Sequence, residues 1–421
     1  MSTPNVAGAA ALVRQFFREG LWSNGNSSDN QTIDLTATQM RALLIASAKR
    51  PDNSRTPDSI IGHGLVDLST ILSFDNRFGV RITPSDNPQI HPKSHIVSKL
   101  TVNKEKYANS HSLSVTLAYL DKPIDIDSAY PLFADIDLVV ISPKGNKFFG
   151  NDLPNKDGEH LSTNEKVIID GDDLIDGEYE IHLITDSQTS ADYSVVAVGP
   201  FSNGFLEFYD IQQDDKNQTC GCNECENGFC KCDKLHTGSF CQVDVIQVNN
   251  FDLFQVHVLG SSFAYLYVPL KGNVIFNISR PDSPHGNLSY VFYSPEKKLS
   301  ISNFLYSRSL DEIETQMKIE EVTDDGFYMA LFNNHPMPRD FNLFFRGFDK
   351  EEMSDAELYG IIGGSIAGAI VGVFLCIVSC CKKVRNFFVQ KCCCCCLKKD
   401  HDHIQISSDN GIKNELMMDE E

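Results

Sequence analysis

Two hydrophobic spacings divide the chain. Near its start, Thr3 and Pro4 lead into the small apolar run Val6-Ala7-Gly8-Ala9-Ala10-Ala11-Leu12-Val13, closed by Phe16 and Phe17. Proline in a first turn followed by alanines favours a helix, and apolar residues nearly all round predict a buried one. Residues 22–34 read as a polar loop. Residues 36–49 predict an amphipathic helix with Met40, Leu43, Leu44 and Ala48 on one side. From about residue 78 to residue 201 the period shortens to two: Leu113, Val115 and Leu117 alternate with other residues, as do Tyr179, Ile181 and Leu183, and Tyr193, Val195 and Ala197. Turn sequences such as Pro143-Lys144-Gly145-Asn146 and Asp176-Gly177 separate these runs, which predicts an antiparallel β-sandwich. Residues 251–348 are strand-like again.

Residues 358–381 hold no charged side chain and are rich in Ile, Val, Gly and Ala. At ~1.5 Å per residue a helix of that length exceeds a hydrocarbon core of ~30 Å. Acidic residues precede it, and Lys382, Lys383, Arg385, Lys391, Lys398 and Lys399 follow. The positive-inside rule then predicts a single-pass membrane protein with the N-terminal part extracellular or lumenal and the C-terminus cytoplasmic; the plasma membrane is the expected location. The lipid bilayer would be one partner. Gly360, Gly364, Gly368 and Gly372 recur every four residues and would offer a close-packing stripe for a homodimer. The sequons at Asn26, Asn30, Asn217, Asn277 and Asn287 all precede this segment, as glycosylation of an external portion requires. Residues 1–20 lack a basic region followed by an apolar stretch, so an export signal is expected upstream.

The 14 cysteines fall into two groups. Cys220, Cys222, Cys225, Cys230, Cys232 and Cys241 form a compact cluster, which implies disulfides made in an oxidising compartment. Their spacing, with Gly238 before the last, resembles an EGF-like module whose early loops are short, leaving the pairing open. The second group starts with Cys376 inside the apolar run; its other members, Cys380, Cys381, Cys392, Cys393, Cys394, Cys395 and Cys396, lie beside lysines at the membrane boundary and read as palmitoylation sites. Metal binding is the other reading, although five consecutive cysteines cannot all face one ion. The net charge of -21 argues against nucleic acid as a partner.

The opening Met1-Ser2-Thr3-Pro4-Asn5-Val6-Ala7-Gly8 resembles the serine motif of the subtilisin-like peptidases, G-T-S-M-[SA]-x-P-x-V-A-G. Within it Met1, Ser2, Thr3, Pro4, Val6, Ala7 and Gly8 match. The resemblance continues in order. The run Thr36-x3-Met40-x2-Leu43-Leu44-x3-Ala48 is similar to the family's next helix, and Gly62-His63-Gly64-Leu65-Val66-Asp67 to its closing segment. Residues 112–120 and Ala134-Asp135-Ile136-Asp137-Leu138 are similar to the β-domain that follows many subtilase catalytic domains. The fold class expected is therefore mixed. Residues 1–75 would be the C-terminal remnant of a subtilisin α/β domain and 78–201 an antiparallel β-sandwich. Residues 218–243 would be the small disulfide-rich EGF-like module, 245–348 a second, membrane-proximal β domain, 358–381 the transmembrane helix and 382–421 a cytoplasmic tail.

The resemblance implies peptide-bond hydrolysis by a Ser-His-Asp triad acting on protein or peptide substrates. The family places the nucleophile directly before its methionine, that is, immediately before Met1, with His and Asp further upstream. No catalytic residue is assigned within the chain, and by itself it is expected to be inactive. Ser2 falls two positions beyond the nucleophile, and His63 reads as a loop histidine. No cofactor is required for catalysis. Asp135 and Asp137 share a strand face, and with Asp170, Asp172 and Asp173 they could hold calcium as a structural ion; solvated carboxylates are the preferred reading. Two alternatives stand beside the endopeptidase: a non-catalytic surface adhesion or receptor protein, and a kexin-like proprotein-processing protease.

Overall fold

The computed structural model describes residues 2–348, except 25–30, 51–56, 58–60, 73, 75–76, 87, 108–109, 124–131, 153–161, 212–219, 221, 223, 227, 261, 280–288, 295–305, 310–313, 323–325, 334 and 336. Helix α1 (Ser2–Arg18) ends at Gly20, whose positive φ of 71° lets the chain turn sharply into the single turn α2 (Leu21–Asn24). Helix α3 (Ala37–Ser47) starts at a capping box. The Thr36 hydroxyl accepts from the Gln39 N–H at 3.2 Å, and the Gln39 side chain accepts from the Thr36 N–H at 2.9 Å.

The following strands form two sheets. One contains β1 (Gly79–Ile82), β3 (Ser112–Leu120), β6 (Asn164–Asp170) and β8 (Ala191–Gly199), in the order β1-β8-β3-β6, with Gly204–Phe205 beyond β1. The other contains β2 (His95–Val102), β4 (Asp137–Ile141), β5 (Lys147–Phe149) and β7 (Gly177–Ile184), in the order β2-β7-β4-β5, with Tyr209–Asp210 beyond β2. Leu113, Val115, Leu117, Tyr179, Ile181, Leu183, Val195 and Ala197 meet between the sheets in one core. Burial of this apolar surface, at roughly 25 cal/mol per Å², drives their stacking.

Strands β3 and β8 are buried along almost their whole length rather than on alternate residues. Their second face is covered: Ala118, Val196 and Val198 pack with Phe16, Phe17, Trp22 and Leu43 of the helical segment. A strand covered on both faces loses the polar half of its alternation.

This packing corrects the expected fold class. The helices of residues 2–72 do not form an α/β remnant. They lie on an antiparallel sheet, and the described structure is mostly β-sheet with few helices. Among the described residues, Gly204–Phe205 on β1 and Val243–Gln247 on Ser262–Val268 are short parallel pairings. The single-pass membrane localisation is corrected too: among the described residues no helix is long and apolar enough to cross a membrane. The 17-residue α1 carries Arg14 and Arg18. Residues 358–381, with the glycine stripe and the cysteines from Cys380 onward, lie outside the described residues.

Three disulfides join Cys220 with Cys225, Cys222 with Cys230, and Cys232 with Cys241. The first two bonds interleave and the third closes its own loop. A second pair of sheets follows. Strands β9 (Val243–Gln247), β11 (Ser262–Val268), β13 (Ser289–Ser294), β14 (Tyr306–Ser309) and β16 (Phe327–Asn333) form one, in the order β9-β11-β16-β13-β14, with His236–Thr237 beyond β9. Strands β10 (Phe254–Val258), β12 (Gly272–Ser279), β15 (Glu314–Val322) and β17 (Arg339–Phe348) form the other, in the order β10-β17-β12-β15. Leu266, Phe276, Phe327 and Phe341 lie in the core between them.

Candidate functional site

Two of the segments that carry the protease resemblance, α3 and Gly62–Asp67, meet on one side of the first sandwich. Helix α3 runs into Ala48–Lys49, which pairs with Leu65–Val66 so that Ala48 faces Val66 and Lys49 faces Leu65. Gly64 sits at a φ of +112°, and a Cβ there would run into the Lys49 carbonyl, so only glycine fits the close approach. The Asp67 carboxylate caps the following turn, accepting from the Ser69 N–H at 3.0 Å and the Ser69 hydroxyl at 2.6 Å, and it pairs with the Lys49 ammonium. Those contacts, the Lys49 hydrogen bond first, hold its carboxyl below the ordinary value.

Under this hairpin lies Lys166, on β6 and only 3% exposed. Its ammonium donates to the carbonyls of Ile45 at 2.8 Å, Ala46 at 3.5 Å and Ala48 at 2.9 Å, so it caps the C-terminus of α3. Burial, and then the nearby Arg50 charge, pull it down to about 8. Beside it the partly buried His63 is pulled down to about 4, first by burial and then by the Lys166 charge. A buried Nδ1 with no hydrogen-bond partner means that no serine hydroxyl is paired with His63 through that atom. Ser2, Thr3, Pro4, Val6, Ala7 and Gly8 form the exposed first half of α1, where Val6 is 38% and Leu12 56% exposed. Met1 lies outside the described residues. Sequence periodicity expected this helix to be buried nearly all round, yet its burial begins only near Val13.

Asp135 and Asp137 are half-buried on the outer side of β4 and the residues before it, facing away from the sandwich core. Asp137 accepts from the Ser239 hydroxyl at 2.8 Å, which ties the strand to the disulfide-rich module. Asp170, Asp172 and Asp173 are exposed. Glu165, buried at 1%, accepts from the Leu138 N–H at 2.7 Å. The sulfurs of Cys220, Cys222 and Cys230 lie close together, but each belongs to a disulfide, so no thiolate is left for a metal. Asn277 is half-buried within β12, whereas Asn26, Asn30, Asn217 and Asn287 lie outside the described residues.

The disulfide-rich module covers the outer face of the β2-β7-β4 sheet. Val139, Ile141 and Ile184 pack there against Cys220, Cys230 and Phe240. Between them lies a polar chain that sequence reading missed. His95 Nδ1 is 2.7 Å from the Gly228 carbonyl, His95 Nε2 is 2.8 Å from His182 Nδ1, and His182 Nε2 is 3.3 Å from Glu180 Oε2. His95 is 5% exposed and His182 not at all. The available signal was a His and a Glu on the outward positions of a strand whose inward positions are Tyr179, Ile181 and Leu183.

No protein-family model and no curated protein matches the chain. Among solved structures, the CUB1-EGF-CUB2 domain of human MASP-1/3 is similar at 12% identity, covering 64% of this chain and 100% of that one, with a TM-score of 0.15. The CUB1-EGF-CUB2 domains of rat MASP-1 match at 14% identity, over 65% and 98% of the two chains, with a TM-score of 0.16. A Momordica charantia 7S globulin matches at 9% identity, over 68% and 88%, also at 0.16. Scores this low establish no common fold.

Proposed function

We propose that this chain serves a subtilisin-like serine endopeptidase. The observation that carries the reading is the order of its four signatures: the serine-motif segment, the helix of residues 36–49, the Gly62–Asp67 segment and the strands from Ser112 onward. Three of them also adjoin in the fold. The segment after α3 pairs with Leu65–Val66, and α3 packs its apolar side on β3 and β8.

In such an enzyme a serine attacks the peptide carbonyl, a histidine takes its proton and an aspartate orients the histidine. The motif puts the nucleophile at the residue directly before Met1, so neither Ser2 nor His63 takes a catalytic role. The exposed α1 turn around Thr3–Gly8 would follow that serine, where free helix N–H groups stabilise a developing oxyanion.

The test is to capture the native cellular product with an antibody against residues 79–199 and treat it with a fluorophosphonate probe of serine hydrolases. Covalent labelling is expected for the native product and not for the 421-residue chain expressed by itself. An unlabelled native product would overturn the endopeptidase reading and leave the adhesion reading in its place.

A further inference from the structure

The buried His95–His182 pair separates two acceptors that never donate: the Gly228 carbonyl of the disulfide-rich module and the Glu180 carboxylate of β7. Three hydrogen bonds join these four groups, and each bond needs one hydrogen. The carbonyl fixes a hydrogen on His95 Nδ1, and the carboxylate fixes one on His182 Nε2. The third hydrogen lies between His95 Nε2 and His182 Nδ1, carried by one or the other. Two neutral imidazoles carry two ring N–H hydrogens, so a complete chain holds one proton more, balanced by the Glu180 charge. Hydrogen bonding from His182 holds the Glu180 carboxyl below its ordinary value, consistent with that pairing.

A fourth proton has no place in this arrangement. It would put hydrogens on both facing nitrogens, 2.8 Å apart, and add a second positive charge inside an aromatic and disulfide-lined contact with Phe229 and Phe240. The remaining charged and titratable groups nearby do not relieve it. Lys99 pairs with Glu178 at 2.7 Å and approaches Glu180 at 3.8 Å, and Tyr209 lies beside them on the neighbouring strand. Lys147 sits over the Phe240 ring, and Asp137 is hydrogen-bonded to Ser239.

We propose that this relay is an acid-released latch: with three ring protons it seats the disulfide-rich module on the β2-β7-β4 sheet, and on taking up a fourth it frees the module. The direction follows from the environment of His95. Burial first, and the His182 charge second, pull it from 6.5 down to about 4. A group lowered in the seated state favours seating above its free value and loses that contribution as pH falls from 6.5 through about 4. The seating equilibrium should therefore weaken about tenfold per pH unit across that window, roughly 300-fold in all.

Hydroxyl-radical footprinting of the full chain reads the release directly, because Phe240 is only 6% exposed when the module is seated. Oxidation of Phe240 should climb steeply between pH 6.5 and 4 in the wild type. It should stay flat in His95→Gln, whose amide can donate to Gly228 and accept from His182 without titrating. A flat wild-type profile, or the same climb in the variant, overturns the latch. Should the variant fail to fold, 15N spectra of the wild-type histidines at pH 7 decide the matter. Ring hydrogens on His95 Nδ1 and His182 Nε2, with a third between His95 Nε2 and His182 Nδ1, support the relay; a His95 Nδ1 without hydrogen, or two neutral rings, overturns it.

Discussion

Replacing Lys166 with Met isolates the contact that fastens the helices to the first sandwich. Met keeps most of the apolar stem and removes the ammonium, so the carbonyls of Ile45 and Ala48 lose donors at 2.8 and 2.9 Å and that of Ala46 a longer one at 3.5 Å. Two short charge-assisted bonds, with their acceptors left stranded, cost roughly 5 kcal/mol. Part of this returns, because Met no longer carries the desolvation that pulls the ammonium from 10.5 to about 8, a saving of about 3 kcal/mol. The net expectation is a loss of about 2 kcal/mol, confined to the C-terminal turn of α3 and the hairpin beneath it. Amide hydrogen exchange with peptide-level mass spectrometry measures it. Peptides covering residues 37–50 should open about 30-fold more readily, while those covering residues 177–184 should keep their protection. A change below about 0.5 kcal/mol in residues 37–50 would refute the capping role, and equal loosening in both regions would show that Lys166 supports the whole sandwich instead.

Two further substitutions probe independent contacts. Gly64→Ala adds a Cβ at a φ of +112° and against the Lys49 carbonyl, so the Lys49–Leu65 pairing should loosen by more than about 1 kcal/mol; unchanged protection of Leu65 and Val66 amides would reject the close-approach reading. Tyr179→Phe removes a hydroxyl that accepts from the Ile175 N–H at 2.9 Å and donates to its carbonyl at 3.1 Å, and should cost about 1–2 kcal/mol in thermal unfolding of the first sandwich, against no shift if solvent replaces both bonds.

Some of this architecture was legible in the sequence. Leu113, Val115 and Leu117, and likewise Tyr179, Ile181 and Leu183, alternate because one face of each strand meets the sandwich core. The crowded cysteines between 220 and 241 announced disulfides, but spacing could not supply their partners, since pairing depends on which loops cross. The helices were legible as helices and not as packing. Phe16, Phe17 and Leu43 are apolar whether they lie between parallel strands or, as here, on Ala118, Val196 and Val198 of an antiparallel sheet. Lys166 escaped because a lysine in a strand ordinarily points to water, and its burial arises from a helix terminus more than 100 residues away in sequence. The His95–His182 chain escaped for the same reason, since 87 residues separate the two rings.

The proposed place of the segment opening at Met1 in the serine motif of a peptidase is tested by the site of covalent labelling. Native product captured through residues 79–199, treated with a fluorophosphonate and digested with trypsin, should yield one modified peptide. That peptide should extend through Met1-Ser2-Thr3-Pro4-Asn5-Val6 to Arg14, with the adduct on a serine immediately before Met1. An adduct on Ser2 or on a serine elsewhere, or a fully sequenced peptide with no serine before Met1, would contradict the account.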